Sequence, residues 1–69
     1  MLSHFIQFSL HKGGEVFVKP TEIVSISLAP EGGARIVTRQ NQIYYVSESV
    51  EDVHSTILLF FREIKNEGN

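Results

Sequence analysis

Between residues 4 and 46 the chain alternates between apolar and polar side chains in short runs. Side chains two positions apart point to the same face of a strand, so this alternation predicts strands with one face in a core. A glycine pair at 13–14, Pro20, the segment 30–33 and the dipeptide 40–41 separate the runs with turn residues. The pattern predicts strands at about 4–11, 15–19, 23–28, 34–39 and 42–46.

Each of the first four predicted strands has a definite inner face. The links between the strands are short, whereas a parallel crossover needs a dozen residues or more, so the strands are expected to be antiparallel neighbours. The sequence therefore predicts a five-stranded antiparallel meander that twists into a curled sheet. The residues predicted to face its core are Ile6, Phe8 and Leu10; Val16 and Val18; Val24, Ile26 and Leu28; and Ala34, Ile36 and Thr38.

The last part of the chain has a helical period instead. Ser49 stands at the N-cap position, and Asp52 three residues later completes a short variant of the capping box. We predict an amphipathic helix over about 50–65, followed by a frayed tail at 66–69. The predicted fold class is α+β: a single small domain, 1–69, with one C-terminal helix packed on the meander. The apolar residues at helical spacing are Val50, Val53, Ile57, Phe60, Phe61 and Ile64.

One run in this helix is apolar on every side. Residues 57–61 are Ile-Leu-Leu-Phe-Phe, and at about 100° per residue such a run extends all the way round a helix. One sheet covers only one side, so Leu58 and Leu59, with His54 a turn earlier, are expected to face solvent in a monomer. Exposed apolar patches of this kind mark interfaces, although single exposed leucines are also common. The sequence predicts an interface of His54, Leu58, Leu59 and Phe61.

The length of the chain favours a partner. A domain of 69 residues buries only about 60% of its unfolded surface, and its core rarely contributes more than about 3–5 kcal/mol. The chain has no cysteine, which excludes disulfides and thiolate metal sites, and its three histidines show no ligand spacing. We therefore expect no metal and no cofactor. A homo-oligomer or a protein partner is the expected source of additional buried area.

Charge and hydropathy exclude other classes. The formal charge of −2 and the pI near 5.8 argue against a nucleic-acid binder, which normally carries a basic face. No apolar run approaches the roughly 20 residues that span a bilayer. Residues 2–10 are too short and too polar for a signal peptide. The cytoplasm is the expected location.

The candidate chemical groups also have structural explanations. Glycines 13 and 14 suit a tight hairpin and lack the lysine and the following helix of a phosphate loop. No nucleophile elbow accompanies the serines and histidines. Acidic residues 48, 51 and 52 are able to share a proton or hold a cation, but they also suit the positive end of a helix dipole. We expect no catalytic residue, no small-molecule site and no enzymatic activity.

The open face of the predicted sheet provides a second hypothesis. Arg35 and Arg39 are expected to flank Val37 there, with Phe17 among them. Basic and aromatic groups on a sheet can stack against and hold single-stranded nucleic acid. The possible ligand face is therefore Phe17, Arg35, Val37 and Arg39. Nucleic-acid or transcription-regulatory binding is the alternative function, although acidic residues outnumber basic ones.

Two stretches resemble the small FlbD-like (SwrD-like) proteins of bacterial flagellar operons. The first is 14–20, Gly-Glu-Val-Phe-Val-Lys-Pro, and the second is 48–53, Glu-Ser-Val-Glu-Asp-Val. Small bacterial and prophage proteins with a similar ending are also common. The resemblance implies a non-enzymatic accessory protein, in the flagellar case one that affects swarming motility, and it transfers no catalytic residue. Further residues in the family's order and spacing are Ile23, Ile26, Ile36, Tyr44, Val46 and Ile57.

Overall fold

The computed structural model describes residues 5–67 of the chain. The predicted α+β class is confirmed, with strands followed by one helix. The helix includes residues 66 and 67, which the sequence assigned to a frayed tail, whereas His4 and residues 68–69 lie outside the described range. The elements are β1 (Ile6–Ser9), β2 (Glu15–Val18), a 3₁₀ turn (Pro20–Glu22), β3 (Ile23–Leu28), β4 (Ala34–Thr38), β5 (Ile43–Val46) and α1 (Val50–Glu67).

The strands form two antiparallel sheets rather than one continuous meander. β1 pairs with β2, and β3, β4 and β5 form a three-stranded sheet in that order. The predicted pairing of β2 with β3 was therefore wrong. The short link between them is not a hairpin, because Pro20 begins a 3₁₀ turn. Its ring fixes φ and removes a backbone donor, and the chain changes direction there.

The end of β1 joins the two sheets. Leu10 forms an isolated antiparallel bridge with Val46. The N–H of Ser47 donates to the carbonyl of Ser9 at 2.7 Å, next to this bridge. The Glu48 carboxylate accepts the Ser9 N–H at 3.1 and 3.2 Å from its two oxygens. These contacts between the end of β1 and the end of β5, which we call the seam, join the two sheets into a curled arrangement.

The core lies between the sheets and α1. The predicted inner faces of β1, β2 and β4 are confirmed, because their residues are buried or half-buried against this core. Thr38 is the buried polar member, and its hydroxyl oxygen accepts the N–H of Gln42 at 3.3 Å. The buried apolar cluster consists of Ile6, Phe8, Val18, Ala34, Ile36, Val46 and Val53.

The predicted inner face of β3 is only partly buried. Ile26 lies opposite Ile36 and Leu28 lies opposite Ala34, so both are on the core side of the sheet. Leu28 is nevertheless 77% exposed and Val24 is 62% exposed. β3 is the edge strand of its sheet, and Val24 falls at a register irregularity where it has no partner on β4. The prediction that Val24 and Leu28 are core residues was wrong.

The predicted turn residues adopt the expected conformations. Gly13, Gly14 and Asn41 all have positive φ, the last at 64°. Gly33 has a further constraint besides its φ of 74°. A Cβ atom built on Gly33 would overlap the carbonyl oxygen of Val46, whereas a Cβ on Gly14 meets nothing within 4 Å. Glycine at 33 is therefore needed for a close approach of two backbone segments.

Gly33→Ala is expected to destabilise the fold more than Gly14→Ala. Both substitutions place alanine at similar positive φ, 74° and 83°, which costs about 1–2 kcal/mol each. Only Gly33→Ala adds overpacking against Val46, which costs roughly 1–3 kcal/mol more. Urea unfolding of the two variants measures the difference. Equal midpoints would contradict the close approach between residues 33 and 46.

The start of α1 has the predicted cap. The Ser49 hydroxyl oxygen accepts the N–H of Asp52 at 3.0 Å, and the Ser49 carbonyl accepts the N–H of Val53 at 2.9 Å. The hydroxyl satisfies one of the backbone donors that have no partner in the first turn of a helix.

Removing this cap is expected to lower the free energy of unfolding. Ser49→Ala deletes the hydroxyl acceptor and should cost about 1 kcal/mol, as N-cap serines do. Ser55→Ala is the matched control, since Ser55 is exposed in the interior of α1, where alanine is the better helix former. Urea unfolding should separate the two variants. A Ser49→Ala variant as stable as the wild type would contradict the role of the cap.

Candidate functional site

The helix buries one side and exposes apolar side chains on the flank next to it. Val53 is fully buried, while Val50, Ile57 and Phe60 are half-buried against the core. Phe61 was also predicted to face the sheet, but it is 41% exposed. The apolar surface of α1 therefore extends beyond the part that the sheets cover.

A surface groove lies between this flank of α1 and the segment that contains β3. His54 and Phe61 line the helix side of the groove, together with the half-buried Val50 and Ile57. Both walls are mostly apolar, so the groove is a recess into which an apolar group fits without losing hydrogen bonds. Its other wall consists of Pro20, Thr21, Ile23, Val24, Ser25 and Ile26.

Leu58 is next to two of the residues that line this groove. Residues three and four apart are neighbours on a helix surface, which places Leu58 between His54 and Phe61. We name His54, Leu58 and Phe61 the helix flank. All three are exposed, and Leu58 is 53% exposed. The structure thus brings these three predicted interface residues together.

Leu59 lies on the other side of α1. It is 54% exposed, as much as Leu58. Its neighbours three and four positions away are all polar and exposed, whereas Leu58 has the apolar Phe61 among its own. The run 57–61 looked like one patch in the sequence, but the helix divides it between two surfaces. The neighbours of Leu59 are Ser55, Thr56, Arg62 and Glu63.

The exposed edge of β3 forms a second part of this surface, and sequence reasoning missed it. Val24 lines the groove, and Val24 and Leu28 are the most exposed large apolar residues among those described. Their alternation with Ser25 and Ser27 predicted burial. The available signal was the absence of any charged residue from 23 to 28, but only the pairing of the strands shows that this segment is an edge.

The predicted ligand face is divided between the two sheets. Arg35 lies opposite Tyr45, and Val37 lies opposite Ile43, on the outer side of the three-stranded sheet. Arg39 follows the end of β4. Phe17 belongs to β2, in the other sheet. The structure therefore brings Arg35 and Val37 together with aromatic and apolar residues of β5.

Of the acidic residues near the start of α1, Glu48 has a hydrogen-bond partner for its carboxylate, and Asp52 takes part in the cap through its backbone. Glu48 accepts the N–H of Ser9, and the N–H of Asp52 is capped by Ser49. His11 lies 3.3 Å from the carboxylate of Glu31, where both side chains are accessible to solvent. Among residues 5–67, no three acidic or histidine side chains are arranged to hold a metal ion.

Comparison of the chain with protein-family models, with curated proteins and with solved structures gives no match. The resemblance to FlbD-like proteins therefore stays a prediction. In the part of the chain that the structure describes, no helix combines the length and the apolar character needed to cross a bilayer. The exposed apolar surface beside β3 is the feature from which a function can be argued.

Proposed function

We propose that this chain is a non-enzymatic interaction module that self-associates or docks on a protein partner through the helix flank. The observation that carries the proposal is that the exposed Phe61 lines an apolar groove, with the exposed Leu58 three residues before it on the helix surface. The proposed setting is the cytoplasm of a bacterial cell. The resemblance to flagellar-operon proteins supports an accessory role, with swarming motility as one such role.

The energetics of burial favour this surface. Fully burying a leucine or phenylalanine side chain contributes about 1.5–3 kcal/mol. Leu58 and Phe61 are 53% and 41% exposed, so a partner that covers both recovers a substantial part of that energy. The gain is large beside the roughly 3–5 kcal/mol that a core of this size supplies.

The composition of the helix flank resembles the centre of a protein interface. Such centres are depleted in charge and are surrounded by a polar rim. Glu51 and Arg62 are exposed on α1, and at about 100° per residue they lie just beyond Leu58, on the side away from the core. Charged residues therefore border the helix flank on its side away from the core.

Nucleic-acid binding through the sheet is not proposed. That hypothesis needs basic and aromatic side chains on one surface. Arg35 has Tyr45 as a neighbour, but Phe17 lies in the other sheet. The chain also carries eight acidic residues against six basic ones, so it has no excess of positive charge to attract phosphates.

Leu58→Glu and Leu59→Glu provide a matched test of the proposal. The two leucines are equally exposed, so both variants should fold, which circular dichroism checks. In sedimentation velocity at tens of micromolar, the wild type is expected to form oligomers. Leu58→Glu should weaken association at least about tenfold, equivalent to about 1.4 kcal/mol, because it places a charge in the buried surface. Leu59→Glu should behave like the wild type.

Two results would contradict the proposal. A wild-type protein that stays monomeric at these concentrations would exclude self-association. Docking on another protein would be excluded as well if the immobilised wild type and the Leu58→Glu variant retain the same proteins from a host extract. Equal weakening by Leu58→Glu and Leu59→Glu would contradict the assignment of the surface to the side of α1 beside β3.

A further inference from the structure

We propose that the partner is a second copy of this chain, and that two copies join edge to edge by antiparallel pairing of their β3 strands. The inference rests on the proposed function and names its partner. In this arrangement a two-fold axis passes beside Ile26. The three-stranded sheets of the two copies become one continuous sheet, and the two helix flanks lie on the same side of it.

The backbone of β3 is available for such pairing. Among residues 5–67, β3 pairs only with β4. Monomeric proteins protect edge strands with charged residues, proline, short length or bulges. β3 has neither charge nor proline, and at six residues it is the longest described strand. Its one irregularity lies between Ile23 and Ser25, and the register from Ser25 to Leu28 is continuous.

The hydrogen bonds to β4 determine which groups point outwards. The N–H of Ala29 donates to the carbonyl of Gly33 at 3.2 Å. In an antiparallel ladder, residues that exchange hydrogen bonds with one neighbour alternate with residues whose N–H and C=O point away from it. Ser27 and Ser25 therefore point their backbone groups towards β4. Those of Ile26 and Leu28 point to the open edge.

One register uses these outward groups best. In this register Ile26 lies opposite Ile26 of the second copy. Val24 then lies opposite Leu28 of the second copy, and Ser25 lies opposite Ser27 of the second copy. The outward-pointing backbone groups of Ile26 then form a hydrogen-bonded pair with those of its copy, and those of Leu28 face Val24 of the second copy, at the irregularity next to Ser25. A shift of the register by two residues leaves one end of the strand unpaired. The strand is therefore complementary to itself about Ile26.

The same register covers the exposed apolar residues. Val24 and Leu28 are the most exposed large apolar side chains among those described, and the pairing places them side by side as cross-strand neighbours. Ser25 and Ser27 of the two copies meet on the opposite face of the sheet. Both serines are exposed to solvent in a single copy. Because β3 carries no charge, the two-fold axis brings no like charges together along the strand.

The helix flank adjoins the same interface. α1 packs on the core side of the sheet against β3, so Phe61 lines the groove whose far wall includes Val24 of the β3 edge, and Leu58 is its neighbour on the helix. In the pair, the second copy's Val24 and Leu28 lie just beyond that edge. A typical stable interface takes about 800 Å² per partner, about a sixth of the 4984 Å² that one copy exposes.

Cysteine cross-linking tests the register directly. The chain has no cysteine, so thiols introduced by Ser25→Cys and Ser27→Cys are unique. Both serines are exposed on the outer side of the sheet, and neither substitution disturbs the core. In the proposed register residues 25 and 27 form a pair without mutual hydrogen bonds, with Cα atoms about 4.5 Å apart. That distance is within the range of a disulfide.

An equal mixture of the two single variants is expected to form a disulfide-linked dimer under mild oxidation. Each variant alone is the matched control, because its thiols are offset diagonally by about 7–8 Å and lie outside disulfide range. We expect the mixture to cross-link at least about tenfold faster than either variant alone. Non-reducing electrophoresis measures the rate, and sedimentation of the wild type runs in parallel.

The outcomes separate this inference from the proposed function. Fast cross-linking that occurs in the mixture and in neither single variant supports edge pairing about Ile26. A wild type that sediments as a dimer while mixture and controls cross-link at the same rate overturns edge pairing but leaves self-association through the helix flank intact. A monomeric wild type without preferential cross-linking overturns edge pairing together with self-association.

Discussion

The change of direction at Pro20 determines the rest of the arrangement. Because the 3₁₀ turn takes the place of a hairpin, β2 stays with β1, and β3 begins a new sheet as an edge strand. The end of β1 meets β5 instead, through the bridge between Leu10 and Val46. The structure thus gains contacts between β1 and β5 that the order of the strands does not suggest, and within the described range 5–67 one side of β3 has no partner strand.

The seam between β1 and β5 compensates for the missing pairing of β2 with β3. It combines backbone hydrogen bonds of Ser9 and Ser47 with the Glu48 carboxylate, which accepts the Ser9 N–H. Gly33 brings the turn before β4 against the carbonyl of Val46. The residues between the sheets and the helix therefore stabilise the fold, and the candidate interaction surface lies among the exposed residues.

Local features of the fold were predictable from the sequence, and non-local ones were not. The strand periods, the Ser49 cap and the conformation of Asn41 depend on neighbouring residues, so their patterns predicted them. Strand pairing depends on contacts between distant segments. An alternating pattern such as Val24 to Leu28 looks the same in an edge strand and in a central one, so their exposure was not predictable.

The helix shows why the candidate site was predicted only in part. The period of 3.6 residues correctly indicates that 57–61 cannot all be covered, and Leu58 and Leu59 are both exposed. It does not reveal which uncovered side lies next to an open strand. That distinction needs the position of α1 on the sheet, which puts Leu58 next to Phe61, a residue that lines an apolar groove, whereas Leu59 has polar neighbours. A surface becomes a candidate interface when exposed apolar side chains and unpaired backbone groups adjoin, and among residues 5–67 the side of α1 next to β3 has both.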